Sequence, residues 1–256
     1  MRVVALMENT TCDPELAAEH GLSLYIETRE HRILFDAGAS GAFADNAQKL
    51  GVDLRQVDFA VLSHGHSDHS GGLLRFLQLN DHAPVYASRY AFDGQCNAAG
   101  DYIGPDPALE GRLRYYGDRL ELTENILLEC PVEKFGSIPL DTAGLQRTED
   151  GKLIPEDFRH EQYMQLKENA MTVLFSGCSH RGVINIAEKY RPDVLIGGFH
   201  FMKRESDSLA PEAEALLALP TMYYTGHCTG QEQYAFLKSR MGDRLHYLPT
   251  GGILTL

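Results

Sequence analysis

The chain has 256 residues, 43% of them hydrophobic, and a formal net charge of −13 at pH 7. That length and apolar content suit one α/β domain spanning 1–256 with a sizeable buried core. The acidic balance and the lack of a Lys/Arg cluster set nucleic acid aside as a partner, and no apolar run reaches membrane-spanning length, so a cytoplasmic protein acting on a small molecule is expected.

Met1 to Met7 is too short and too quickly polar for a signal peptide, and residues 2–7 read as a strand. The five cysteines, at 12, 96, 130, 178 and 228, are odd in number and show no Cys-x-x-Cys spacing. Reduced thiols are expected rather than a disulfide framework or a zinc knuckle. Asp13-Pro14 predicts a short helix with Asp as N-cap and Gly21 as its stop. Leu22 to Glu27 and Arg32 to Phe35 predict a hairpin, and the second strand ends in Asp36, before a helix over Gly41 to Leu50.

The apolar run Phe59 to Leu62 leads into Ser63-His64-Gly65-His66-Ser67-Asp68-His69-Ser70-Gly71-Gly72. Four potential metal ligands, His64, His66, Asp68 and His69, fall within six residues. Burying so many imidazoles without a metal is costly, which points to a metal centre rather than a packed loop. His-x-His directs two rings to one side, Asp68 and His69 reach a second position, and the spacing suits two divalent metals. Imidazole and carboxylate donors favour zinc first, then iron or manganese. The Gly71-Gly72 pair is read as a tight backbone turn.

Gly72 to Leu79 predicts a helix and Pro84 to Ala87 a strand; helices alternating with strands indicate a layered α/β fold. From about 88 to 159 the periodicity is poor and only Ile126 to Glu129 reads clearly as a strand. This stretch is expected to be a variable, substrate-facing region on the same scaffold. Order returns with His160-Glu161-Gln162, a strand over Tyr163 to Lys167, and Thr172 to Phe175 leading into Ser176-Gly177-Cys178-Ser179-His180. Gly182 to Tyr190 predicts a helix with Ser179 as its N-cap. His180, at that helix's positive end, is placed to hold an anionic group. Asp193 to Ile196 predicts a strand ending in Gly197-Gly198-Phe199-His200. Pro211 to Leu219 predicts a helix, Met222 to Thr225 a strand, and Thr229 with Glu232 a capping box for a helix running to Met241. His227 stands between that strand and that helix. Leu245 to Leu248 and Ile253 to Leu256 close the pattern.

His-x-His-x-Asp-His after a buried strand resembles the signature of the metallo-β-lactamase superfamily, and the later landmarks follow in that family's order along nearly the whole chain. The resemblance implies an αββα sandwich of two mixed sheets with outer helices, and a dinuclear site. It makes Asp36 the group that orients a ligand histidine. It implies a third histidine, then an Asp or Cys at a strand end, then a final histidine, which here are His160, Cys178 and His227. A cysteine in place of the commoner Asp is a departure from the pattern. His180 rivals His160 as the third ligand because it shares a loop with Cys178. His200 is expected to bind substrate or metal.

The strings Ser176 to Gly182, Gly197 to His200, Thr225 to Gly230 and Glu19 to Ser23 are similar to a dihydropteroate-synthase-like subfamily. Its name is 7,8-dihydropterin-6-methyl-4-(β-D-ribofuranosyl)aminobenzene 5′-phosphate synthase. Two enzymatic expectations follow. The first is a hydrolase acting on a small anionic or ester substrate, phosphoester or carbonyl ester, with Asp68 as proton acceptor. In it His64, His66 and His160 hold one metal, and Asp68, His69, His227 and Cys178 the other. The second is a pterin-methyl diphosphate to arylamine transferase in which His180 holds the anion. A non-catalytic metal-binding module is less favoured, since a closed structural site needs only four ligands.

Overall fold

The computed structural model describes residues 1–133 and 135–256. In chain order the elements begin with β1 (Arg2–Met7), β2 (Ser23–Glu27), β3 (Arg32–Phe35), α1 (Ala42–Lys49), β4 (Phe59–Val61), α2 (Ser67–Ser70), α3 (Leu73–Leu79) and β5 (Val85–Ser88). Then come β6 (Gln95–Cys96), β7 (Arg114–Tyr116), β8 (Arg119–Thr123), β9 (Ile126–Glu129), β10 (Gln146–Glu149) and β11 (Lys152–Pro155). The C-terminal part holds β12 (Tyr163–Glu168), β13 (Met171–Phe175), α4 (Val183–Tyr190), β14 (Val194–Ile196), α5 (Ala210–Leu217), β15 (Met222–Thr225), α6 (Gln231–Met241), β16 (Leu245–Tyr247) and β17 (Ile253–Thr255).

Two compact units emerge. The first comprises 1–117, 144–156 and 249–256. Its seven-stranded sheet has the order β17-β1-β2-β3-β4-β5-β7, antiparallel from β17 to β3 and parallel from β3 to β7. The expected hairpin is there, with Leu24 opposite Phe35 and Glu27 opposite Arg32. The apolar stripe of α1 (Phe43, Ala44, Ala47) and Leu73 and Phe76 of α3 bury against Leu6, Leu34, Ala60 and Val85 of the sheet. Alternation of polar and apolar residues at helical spacing is what lets those helices cover the sheet. A small sheet, β11-β10-β6, completes this unit.

The second unit comprises 118–143 and 157–248. Its sheet, β16-β15-β14-β13-β12-β9-β8, is parallel from β16 to β13 and antiparallel from β13 to β8. Val183, Ile184, Ile186 and Ala187 of α4 share a core with Leu174, Leu195, Leu216, Tyr223 and Leu237. The mixed α/β expectation with two mixed sheets is borne out. Parallel strands linked by crossover helices deliver their carboxyl ends to one edge of each sheet, where ligand sites of such sheets lie.

Several local expectations are corrected. Asp13-Pro14 starts a turn and no helix: Asp13 Oδ1 accepts from Glu15 N at 2.9 Å, and Ala17 N is captured by Asn46 Oδ1 at 2.9 Å before a second helical turn forms. The tight turn expected at Gly71 and Gly72 is there, in ordinary right-handed backbone of φ −60° and −81° rather than a conformation only glycine adopts. Space is what requires them, since a Cβ would stand 2.1 Å from Ala39 O and from Ala37 O respectively. The region 88–159 contains β6, β7, β8, β10 and β11 besides the expected β9; β6 is buried but only two residues long, and the others are three to five residues long and mostly exposed or half-buried, so no apolar alternation announces them. Neither expected cap forms. The Ser179 hydroxyl pairs with Ser176 Oγ at 2.8 Å and Gly182 is the N-cap of α4. Thr229 Oγ1 accepts from Phe199 N at 2.9 Å, Glu232 accepts from Ser206, and Gly230 precedes α6. Among the described residues no helix is long and apolar enough to cross a membrane.

Candidate metal centre

In the first unit β3 and β4 run parallel with Phe35 beside Val61, so Asp36 and Ser63 leave the sheet side by side. Asp36 sits at φ 59°, a left-handed conformation that Asp tolerates better than most residues. Its buried carboxylate accepts from Ser63 N at 2.6 Å, from Ser63 Oγ at 2.7 Å and from His69 Nδ1 at 2.7 Å. With its proton committed to Asp36, the Ser63 hydroxyl accepts from His64 Nδ1 at 2.8 Å. One carboxylate therefore fixes two imidazoles, each protonated on Nδ1 with a bare Nε2.

Those bare nitrogens converge. His64 Nε2 lies 3.1 Å from His66 Nδ1, near the separation of about 3.3 Å that two nitrogens on one tetrahedral zinc would have. His69 Nε2 lies 3.7 Å from Asp68 Oδ2, and the His64 and His69 ring centroids are 4.2 Å apart. All three imidazoles are buried, and Asp68 is partly open at 22%. A desolvated cluster of neutral nitrogens beside a carboxylate has the donor chemistry a divalent cation needs, so these residues fit a metal. The helical turn α2 places Asp68 and His69; Ser70 and Gly71 close it with amide bonds to His66 O at 3.1 Å and Ser67 O at 2.8 Å.

In the second unit the same construction recurs at the ends of β13, β14 and β15, which present Cys178, His200 and His227. Cys178 Sγ has a ring nitrogen of His180 within 4.8 Å, and one of His227 within 4.8 Å. Ser179, His200 and His227 all adopt left-handed backbone, at φ 57°, 57° and 50°. Gly197 and Gly198 allow the loops to close, since a Cβ would lie 2.0 Å from Ser176 O and 2.3 Å from Cys228 Sγ respectively. Left-handed non-glycine backbone persists only where the surroundings enforce it, and here it marks the strand ends.

His180 is stacked on Phe158 with centroids 4.6 Å apart and an interplanar angle of 9°, and the His200 ring meets it edge-on at 4.3 Å. His160 is fully buried beside Phe158, at 6.3 Å between centroids, and does not join the close-set donors as His180 does. Sequence reasoning passed over Glu161. Its buried carboxylate accepts from His180 N at 2.7 Å, Arg181 N at 3.1 Å and Tyr163 Oη at 2.7 Å, tying β12 to the Cys178 loop. Burial pushes the Glu161 carboxyl above the usual carboxylate range, an effect these three donors and the Arg181 charge oppose. Ser63 was likewise unmarked; its place directly before the first histidine was the available signal.

Among known proteins, a relative from Methanocaldococcus jannaschii named 7,8-dihydropterin-6-methyl-4-(beta-D-ribofuranosyl)-aminobenzene-5'-phosphate synthase is 27% identical, covering 90% of this chain and 88% of its own. An uncharacterized protein of the same organism is 28% identical over 89% of this chain and 91% of its own. The crystal structure of Tm1679, described as a metal-dependent hydrolase of the beta-lactamase superfamily, matches with a TM-score of 0.84 at 26% identity, covering 100% of this chain and 99% of that one. Zinc-bound PqqB from Methylobacterium extorquens shares the fold at a TM-score of 0.61 and 13% identity, each chain covered fully. The profile of the metallo-beta-lactamase superfamily matches residues 17–152, more than half of the chain, with the histidine loop inside the match. By that match the chain belongs to the metallo-beta-lactamase superfamily.

Proposed function

We propose that this chain is a metal-dependent hydrolase with a dinuclear centre, zinc its favoured occupant, acting on a small phosphoester or carbonyl ester. The observation that carries the reading is the buried set His64, His66 and His69, with one carboxylate, Asp36, fixing which nitrogens of His64 and His69 are left bare. His64 and His66 would hold one metal, and Asp68 and His69 would begin the shell of the other. Cys178, His227 and one of His160 and His180 are the remaining candidate ligands of this chain. The nearness of His180 to Cys178 supports His180 as the third imidazole.

Divalent metals bound there supply Lewis acidity and an acidified water, the usual means of ester hydrolysis in such sites. This chain's own part is to orient and to move protons. Asp36 and Ser63 hold the imidazoles in one tautomer. Asp68 Oδ2, beside His69 Nε2 and reachable from solvent, takes the proton of the attacking water. His200, whose ring meets His180 edge-on, would steer an anionic group of the substrate, a task His180 would share only where His160 is the third imidazole.

A second reading, the pterin transferase, is supported by the name of the 27% identical relative, which matches most of both chains. The two are separated by metal analysis of purified protein, with turnover of a phosphodiester, a phosphomonoester, a thioester and a lactone before and after chelation, and with binding of a dihydropterin. About two zinc per chain and chelator-sensitive hydrolysis of one ester class are expected. Metal without any ester turnover, together with pterin binding, selects the transferase. Protein that takes up no metal refutes both.

A further inference from the structure

We infer that His20 is a positioning residue for Asp68, locked in one tautomer by Asn9. This rests on the reading of Asp68 as a metal ligand. Asn9 Oδ1 accepts from Gly21 N at 3.4 Å, which assigns its amide nitrogen to the other side, where it donates to His20 Nδ1 at 3.1 Å. A ring nitrogen that accepts carries no proton, so the neutral imidazole has its hydrogen on Nε2. That nitrogen stands 3.4 Å from Asp68 Oδ2, the same oxygen that faces His69 Nε2 at 3.7 Å. The chain of donors therefore runs from Gly21 N through Asn9 and His20 to the carboxylate.

The backbone supports the same contact. Leu22 N donates to Asp68 O at 3.2 Å, and a Cβ on Gly21 would lie 2.7 Å from that carbonyl and 2.9 Å from Ala39 N. Only glycine lets the segment carrying His20 lie directly on the metal loop. His20 itself is 58% exposed, against 22% for Asp68. A donor there holds the carboxylate in one rotamer while leaving its approach open. Partners of this kind orient a ligand and tune its basicity.

The test uses the full-length protein and three variants, His20→Ala, His20→Gln and Asn9→Ala, with the fold of each checked by far-UV circular dichroism. Zinc affinity is measured by chelator competition, and the visible spectrum of the cobalt-substituted protein reports the ligand field. His20→Ala is expected to bind zinc about tenfold more weakly and to shift the cobalt bands. His20→Gln, whose amide nitrogen can donate from nearly the same place, should recover most of that loss, and Asn9→Ala should fall between. Nitrogen-15 shifts of the His20 ring in the metal-free protein should show the Nε2-protonated tautomer. Zinc affinity and spectrum unchanged in His20→Ala, a Gln variant as weak as the Ala variant, or an Nδ1-protonated ring would each overturn the inference. Wild-type protein that binds no zinc while its His20 ring is Nε2-protonated defeats the metal reading and leaves the hydrogen-bond chain standing.

Discussion

Replacing Asp36 separates what its carboxylate does for the fold from what it does for metal. In Asp36→Ala the amide and hydroxyl of Ser63 and the Nδ1 proton of His69 lose their acceptor in a buried place. A buried donor without a partner costs about 1–3 kcal/mol; the hydroxyl can rotate away, so two groups bear the full effect, about 2–6 kcal/mol. Alanine at φ 59° adds about 1 kcal/mol. Against a net stability of about 5–15 kcal/mol, that variant loses much of its margin. Asp36→Asn keeps the shape, tolerates the left-handed backbone and still accepts from Ser63 N. Its NH₂ group, however, faces two donors, and the imidazole of His69 must move its proton to Nε2, the nitrogen turned toward Asp68. Stability should fall by only about 1–3 kcal/mol, while zinc affinity should drop about 10- to 100-fold. Urea unfolding of the metal-free proteins and chelator competition read the two effects separately. An Asn variant that holds zinc like wild type, or an Ala variant that loses under about 1 kcal/mol, would refute the account of this hydrogen-bond set.

Two further outcomes follow from packing and burial. Gly72→Ala puts a methyl 2.1 Å from Ala37 O and 2.5 Å from Ser40 O in backbone that alanine adopts freely, so the whole effect is steric; a loss of about 2 kcal/mol or more in urea unfolding is expected, and wild-type stability would show that the contact relaxes at no cost. Burial pushes the phenols of Tyr163 and Tyr190 far upward and that of Tyr223 up to about 12. Because these pKa values are raised, the stability they contribute is intact below pH 10 and is lost as pH climbs through 12. Absorbance at 295 nm should show these tyrosines titrating late, together with unfolding; full ionisation near pH 10 with the fold intact would contradict their burial.

The parts of the site legible in the sequence were those with ligand chemistry packed closely in the chain. His64, His66, Asp68 and His69 announce themselves because no apolar core uses four such groups in six residues. Strand ends at Asp36, Cys178, His200 and His227 were readable from the apolar runs before them. The partners that orient these groups were not, because Ser63 and Glu161 are common polar residues whose meaning comes from register between strands. The caps failed for a related reason. Ser179 and Thr229 have the right chemistry for N-caps, but Ser176 of the same loop engages the first hydroxyl and Phe199 N of a neighbouring loop the second. In the region 88–159 the short strands are held by a few ladder bonds and little apolar burial, and composition carries no trace of them.

The placement of His64, Cys178 and His227 two or three residues beyond the ends of β4, β13 and β15 also bears on how such a protein can diversify. Core positions on the strands are interlocked, and a change at one obliges change at its neighbours. Positions beyond the strand ends lie off the ladders that lock the core together, so exchanging a thiolate for a carboxylate there would retune the preference of the proposed metal centre. Variation in catalytic repertoire would thereby be uncoupled from variation in foldability.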